Sequence, residues 1–268
     1  MKGQGDCTMR GNCRLCRRER VLCDSHLLPK ATYRLIRKAS GASPIVATKG
    51  PVRATNGQIH QHLLCEECEQ RLSGPERYTL RQCCRGSRFR LRELLDTLAP
   101  WQALPDAELV PYETAGVAAL DGPALIYFAA SLLWRASVVP WRVADDVLVT
   151  DLGPKYNELF RRFLMGEADF PEDAAIWISV TKTRSPQLIC IGPHLHERST
   201  FHRFEMQVFG IRWSVFVGQR IHPVIRRMCT LRSPERFFYL SDSPLDLATR
   251  GLENFARTAR VAANLRGV

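Results

Sequence analysis

Cys13-Arg14-Leu15-Cys16, Cys23-Asp24-Ser25-His26-Leu27-Leu28-Pro29 and Leu64-Cys65-Glu66-Glu67-Cys68 are the three segments from which the rest of this chain can be read. The two Cys-x-x-Cys pairs share one spacing and are separated by the 48 residues 17–64. Each pair suits a tight turn that aims both sulfurs at one point, and four thiolates gathered this way are what a tetrahedral zinc ion takes. A closed four-cysteine site leaves no coordination position for water, so the ion expected at Cys13, Cys16, Cys65 and Cys68 is structural, pinning a hairpin to a helix. Cys7 and Cys23 are the alternatives should one ligand be displaced. Cys83-Cys84, Cys190 and Cys229 lack partners at ligand spacing and read as ordinary thiols.

Charge singles out the same part of the chain. Of the +11 net charge, residues 1–100 carry 19 Lys/Arg against 9 Asp/Glu (+10), and residues 101–268 carry 19 against 18 (+1). A basic surface around a metal module points to a polyanionic partner, met through neutralised phosphates and released counterions. Arg suits phosphate because its planar fork donates two hydrogen bonds at once. Arg14, Arg17 and Arg18 at the first knuckle, with Arg81, Arg85 and Arg88 further on, are the candidate nucleic-acid contacts; a solvated face is the plainer reading for about half of the arginines in these clusters. No signal peptide opens the sequence, and the apolar run Pro123–Trp134 is too short for a bilayer and is stopped by Arg135. The expectation is a cytoplasmic protein without a membrane partner, in a reducing compartment where paired cysteines serve as metal ligands.

Along the chain, a knuckle and short hairpin are expected over 13–23, a helix over 29–38, a turn-rich loop over 39–57 and a strand over 58–64. A helix beginning at Cys68 is expected to end near Ser73-Gly74-Pro75. Leu91, Leu94, Leu95 and Leu98 repeat at helical spacing. Pro100, Pro105 and Pro111 mark a connector, which divides the chain into a basic module over 1–99 and a second domain over 112–268. In the second domain, helices are expected over 124–138, 155–165 and 245–265, with strands over 175–181, 188–191, 201–209 and 211–217.

His26 lies between the halves of the zinc site, with nine residues separating it from Cys16. A neutral imidazole there can take a proton from an attacking water while a divalent cation steadies the leaving oxygen; a structural histidine bonded to the backbone is the plainer alternative. The run Cys13-x-x-Cys16, Asp24-Ser25-His26-Leu27-Leu28-Pro29 and Leu64-Cys65-x-x-Cys68 resembles the HNH endonuclease family in its zinc-stapled, treble-clef form. The similarity covers about residues 13–77. It implies a ββα-metal fold, a structural Zn2+, a nucleic-acid substrate and His26 as general base. Where that family usually places an acidic residue or histidine just before the base, this chain has Ser25, with Asp24 one step back. His60 stands at the middle asparagine position and Glu69 at the last signature position. A cation site for Mg2+ or Mn2+ rearranged from Asp24, Glu69 and His60 or His62 is chemically reasonable.

The expected fold is thus α+β: an N-terminal zinc-binding ββα-metal (treble-clef) module, then a larger mixed α/β domain with an antiparallel sheet that serves recognition or assembly. The expected activity is metal-dependent hydrolysis of nucleic-acid phosphodiesters, DNA favoured over RNA, with a homo-oligomer or defence-type complex as a further partner. The alternative is a catalytically degenerate nucleic-acid-binding or protein-interaction adaptor. His194-x-His196-Glu197 follows a Gly-Pro pair and reads as a surface loop rather than a metal site.

Overall fold

Leucines, cysteines and a turn of arginines build the first sheet. In the computed structural model, which describes residues 9–40, 45–46, 53–54, 58–86, 88–101, 109–143, 146–185, 189–231 and 235–241, β1 (Met9–Asn12) and β2 (Glu19–His26) form an antiparallel hairpin whose turn is the first Cys-x-x-Cys knuckle. Arg17 takes a positive φ at that turn, and its amide donates to the Cys13 carbonyl at 2.8 Å. Helix α1 (Lys30–Ser40) follows, and then the two-residue strands β3 (Ile45–Val46) and β4 (Arg53–Ala54), which pair with each other. Strand β5 (His60–Cys65) returns antiparallel to β2, completing the order β1-β2-β5.

A register shift opposite Cys23 and Asp24 leaves Leu63 of β5 as an extra residue, between Leu64, which pairs with Cys23, and His62, which pairs with Asp24. Strand side chains alternate with a period of two, so the extra residue reverses the faces of β5 beyond it. Leu63, Leu64 and Cys65 are all buried, while β2 keeps its alternation there, with Cys23 and Ser25 buried and Asp24 and His26 half-buried on the other side.

Helix α2 (Glu66–Cys83) starts directly after β5, with Cys65 at its N-cap, and covers the buried side of β2 and β5. It does not stop at Ser73-Gly74-Pro75 as expected but runs for 18 residues with Pro75 inside. The carbonyl that Pro75 leaves unpaired belongs to Arg71, on the exposed side of the helix, while Leu72, Thr79, Leu80 and Cys83 are buried. Helix packing outweighs the proline.

Beyond α3 (Arg90–Asp96) and β6 (Leu109–Tyr112), helix α4 (Gly122–Val138) is apolar on nearly every side. It explains itself by position: α2 and α5 (Pro154–Met165) pack against it, and Phe128 meets Trp213 of the large sheet at 5.4 Å between ring centroids. Asp121 caps it by accepting from the Ala124 amide at 2.9 Å. The strands β7 (Trp141–Val143) and β8 (Asp146–Leu148) form a hairpin between α4 and α5.

The large sheet contains β9 (Ala174–Thr181), β10 (Cys190–Arg198), β11 (His202–Val208), β12 (Ile211–Val217) and, after the five-residue helix α6 (Pro223–Arg227), β13 (Phe238–Ser241). Its order is β10-β11-β12-β9-β13-β6. It is mixed rather than purely antiparallel, because β13 runs parallel to β9. Two of its strands, β6 and β13, were not foreseen, and β10 carries His194 and His196 within a strand rather than on a loop. The helix expected over 245–265 and most of the loop expected over 39–57 lie outside the described residues.

The buried residues of the first sheet, of α2 to α5 and of the large sheet form one continuous apolar cluster. Among the described residues no helix is long and apolar enough to cross a membrane.

Candidate metal centre and histidine site

The four cysteines of the two pairs come together. Cys13 sits at the start of the knuckle, Cys16 in its turn, Cys65 at the end of β5 and Cys68 in the first turn of α2, and their sulfurs all lie within 4.8 Å of one another. Cys16 Sγ and Cys65 Sγ are 3.9 Å apart. Tetrahedral ligands at a Zn–S distance of about 2.3 Å stand about 3.8 Å from each other, so the spacing fits such an ion. The Cys65 amide donates to Cys13 Sγ at 3.4 Å, a contact that favours thiolate. Hydrogen bonding from Cys68 pulls the Cys13 thiol down to about 4, while the same contact and burial push Cys68 up. The cluster can hold a metal ion such as zinc. Cys23, the alternative ligand, is disulfide-bonded and stands outside the cluster.

Strands β2 and β5 position the histidines. His26 and His60 are opposite each other in register, and their rings stack at 5.5 Å with 27° between planes. His26 Nε2 lies 2.5 Å from Gln58 Oε1, and His60 Nδ1 lies 2.5 Å from Asp24 Oδ1. With Gln58 Oε1 as acceptor, the His26 proton sits on Nε2 and Nδ1 keeps its lone pair. Burial lowers the His26 pKa; the Gln58 contact and the Asp24 carboxylate oppose this without reversing it. A group so placed is neutral at pH 7 and able to accept a proton.

Glu69 is placed differently. It projects from the first turn of α2 toward Ser25, Arg135 and Glu76, and its Oε1 is buried without a hydrogen-bond partner. Burial raises its pKa, with Arg135 opposing. Among the described residues, no group of three His, Cys, Asp or Glu ligand atoms joins Asp24 and His60 to Glu69 or to His62.

Two arginines that the sequence reading passed over hold this sheet from behind. Arg135 of α4 is 1% exposed; it donates to the His26 carbonyl at 2.8 Å and to Glu76 Oε1 at 2.7 Å. Arg161 of α5 donates to the Leu15 carbonyl at 3.1 Å and is ion-paired to Glu158 and Glu167. One fixes the backbone of the histidine and the other the backbone of the knuckle. The cue in the sequence was a charge set inside or against apolar helical runs, at Leu132-Leu133-Trp134-Arg135 and Phe160-Arg161.

The candidate nucleic-acid residues Arg14, Arg18, Arg81 and Arg85 are exposed. Arg17 is ion-paired with Glu158, and Arg88 grips the Glu93 carboxylate through Nε at 2.9 Å and Nη2 at 2.7 Å. Compared with known protein families, characterised proteins and solved structures, the chain matches none.

Proposed function

We propose that this protein is an HNH-like, metal-dependent endonuclease whose treble-clef module is held by a structural Zn2+ on Cys13, Cys16, Cys65 and Cys68. The observation that carries the reading is His26, kept neutral by burial and oriented by Gln58 beside the Asp24–His60 pair, on the hairpin that the four cysteines staple. His26 takes the proton of the attacking water at Nδ1, while Gln58 holds the opposite nitrogen. Asp24 is the carboxylate available to a hydrated Mg2+ or Mn2+, an ion that ordinarily takes one or two carboxylates and completes its shell with water and substrate phosphate. Once bound, the cation supplies charge stabilisation of the leaving oxygen. Arg14, Arg18, Arg81 and Arg85 supply a phosphate-seeking surface, with DNA favoured over RNA as the substrate.

A second reading, a zinc-stabilised adaptor that binds without cutting, is favoured by one observation. The carboxylate at the last signature position, Glu69, lies beside Arg135 rather than with Asp24 and His60. The two readings separate in one experiment: incubate the protein with plasmid and single-stranded DNA or RNA in Mg2+ or Mn2+, beside His26→Ala. Metal-dependent cleavage lost in the variant supports the nuclease. Salt-sensitive binding without cleavage in either protein supports the adaptor, and binding indifferent to salt overturns the phosphate-led partner in both.

A further inference from the structure

A second cluster of metal-ligand side chains lies on the large sheet, away from the four cysteines. We propose that His194, His196 and Glu205 form a site for a divalent first-row transition ion such as Zn2+, with a coordination position left open to solvent.

The backbone places all three side chains. β10 is the edge strand, and His194 is directly opposite Glu205 of β11. His196 follows two residues later on the same side, in the irregularity between Leu195 and Glu197 where the register shifts. Such a bulge twists a strand and re-aims a side chain. One ligand atom from each residue lies within 4.8 Å of the others.

The distances suit an ion better than a direct bond. His196 Nδ1 is 3.6 Å from Glu205 Oε2, beyond hydrogen-bond range. Neighbouring ligands around tetrahedral zinc, with metal–N and metal–O distances near 2.1 Å, stand about 3.4 Å apart. The carboxylate oxygens divide their roles: Oε1 accepts from Ser214 Oγ at 3.4 Å and has Arg203 Nε at 3.7 Å, while Oε2 faces His196. His194 Nδ1 lies 3.1 Å from the Gly192 carbonyl, which fixes the proton there and leaves Nε2 with its lone pair.

Two imidazoles and one carboxylate are a donor set suited to zinc, copper, nickel or iron rather than to magnesium or calcium. Arg203 and Arg212 lie close to Glu205, so the affinity is lower than in an uncrowded site; Glu197, 3.7 Å from Arg203, offsets one of those charges. The Glu205 side chain is 12% exposed and that of His196 41%, so the anionic ligand is sheltered while the histidines admit an ion from outside. A bound ion would clip the edge strand to its neighbour where the ladder is least regular. The site does not depend on the nuclease reading.

The experiment is a Co2+ titration of the protein given a single equivalent of Zn2+, which the four-thiolate site takes first, followed by visible absorption. A thiolate site that takes up cobalt shows intense sulfur-to-metal charge transfer, whereas a nitrogen–oxygen site shows only weak d–d bands. The expected result is one saturable equivalent with weak bands alone. Glu205→Gln should lower its apparent affinity at least tenfold, and the double variant His194→Ala/His196→Ala should abolish it. Absence of that equivalent in the unaltered protein, or its persistence at full affinity in either variant, overturns the proposal. His194 and His196 lie on an edge strand and Glu205 on its neighbour β11, and circular dichroism of each variant confirms that the fold is kept.

Discussion

The two sheets of this protein are stabilised by different physics. Up to Leu72, the buried apolar residues are leucines, cysteines and a single aromatic, Tyr33, with no buried Phe, Trp, Ile or Val among the described residues. The large sheet buries Ile176, Ile178, Val180, Phe204, Trp213 and Val215 completely, all β-branched or aromatic residues of high strand propensity. A three-stranded sheet made of leucine has little intrinsic reason to persist. What it has instead is four converging sulfurs on one side of its turn and two arginines from α4 and α5 gripping its carbonyls. The large sheet rests on its apolar core. Converging thiols and buried arginines concentrate where apolar burial is thin, and that is also where the candidate nuclease chemistry lies.

The sharpest way to break this contrast is to remove the staple. In Cys65→Ala, or after chelation, the loss can approach the metal-binding free energy of a structural zinc, on the order of 10 kcal/mol in small zinc modules. Hydrogen exchange should then show Met9–His26 and His60–Cys65 losing protection well before β9, β11 and β12. Equal loss in both sheets would mean that the staple is not what separates them.

The mirror experiment is Phe128→Ala, which opens a cavity between α4 and Trp213 and should cost about 3–5 kcal/mol of global stability. The four-cysteine site should keep its capacity for zinc, since the cavity opens toward Trp213 of the large sheet. A metal content that falls in step with stability would argue that the continuous apolar cluster, rather than the staple, organises the first sheet.

Arg135→Met comes next. It leaves the His26 carbonyl without its donor and Glu76 without its partner, and should destabilise by about 3 kcal/mol. The corresponding Arg161→Met should cost nearer 1 kcal/mol, because its partners Glu158 and Glu167 are more than a third exposed and water screens them. Chemical denaturation of both variants checks the order. If Arg161→Met proves the more damaging, the knuckle rather than the histidine strand is the weak point.

Much of this contrast was legible from residue types. Cysteine pairs at matched spacing announce convergence because few other arrangements satisfy four thiols, and the apolar stretches at Ala174–Thr181 and Ile211–Val217, with the polar–apolar alternation of His202–Val208, leave little choice but strands that face a core. The alternation Asp24, Ser25, His26 put the first and last on one face. The extra residue Leu63, which sets the register of β5 against this alternation, was not legible, because a bulge has no local composition that reveals it. Pro75 misled because an end-of-helix cue is local, whereas the burial of Leu72, Thr79 and Leu80 that carries α2 past it is tertiary. β6 and β13 are four residues each and are selected by pairing partners far away in sequence. Glu69 followed Cys68 as a ligand would, yet the helix turns it toward Arg135.

The smallest effect bears on the histidine itself. Burial depresses the His26 pKa, and in the proposed nuclease the neutral ring is the working form, so cleavage by such an enzyme should persist below pH 6.5 and decline only through the lower, folded-state value. Stability follows the same sign. The unfolded chain protonates first, so this residue's contribution is intact above about pH 6.5, is lost as pH falls from there to the folded-state value, and changes no further below it. Gln58 and Asp24 both favour the charged ring, so Gln58→Ala and Asp24→Asn should each move the acid limb to still lower pH. An NMR titration of the ring protons separates this from loss of cation binding, which in Asp24→Asn would lower cleavage at every pH. A limb that moves upward in Gln58→Ala would show that the glutamine holds the neutral form, and that the partially buried face of the small sheet is wetter than its packing indicates.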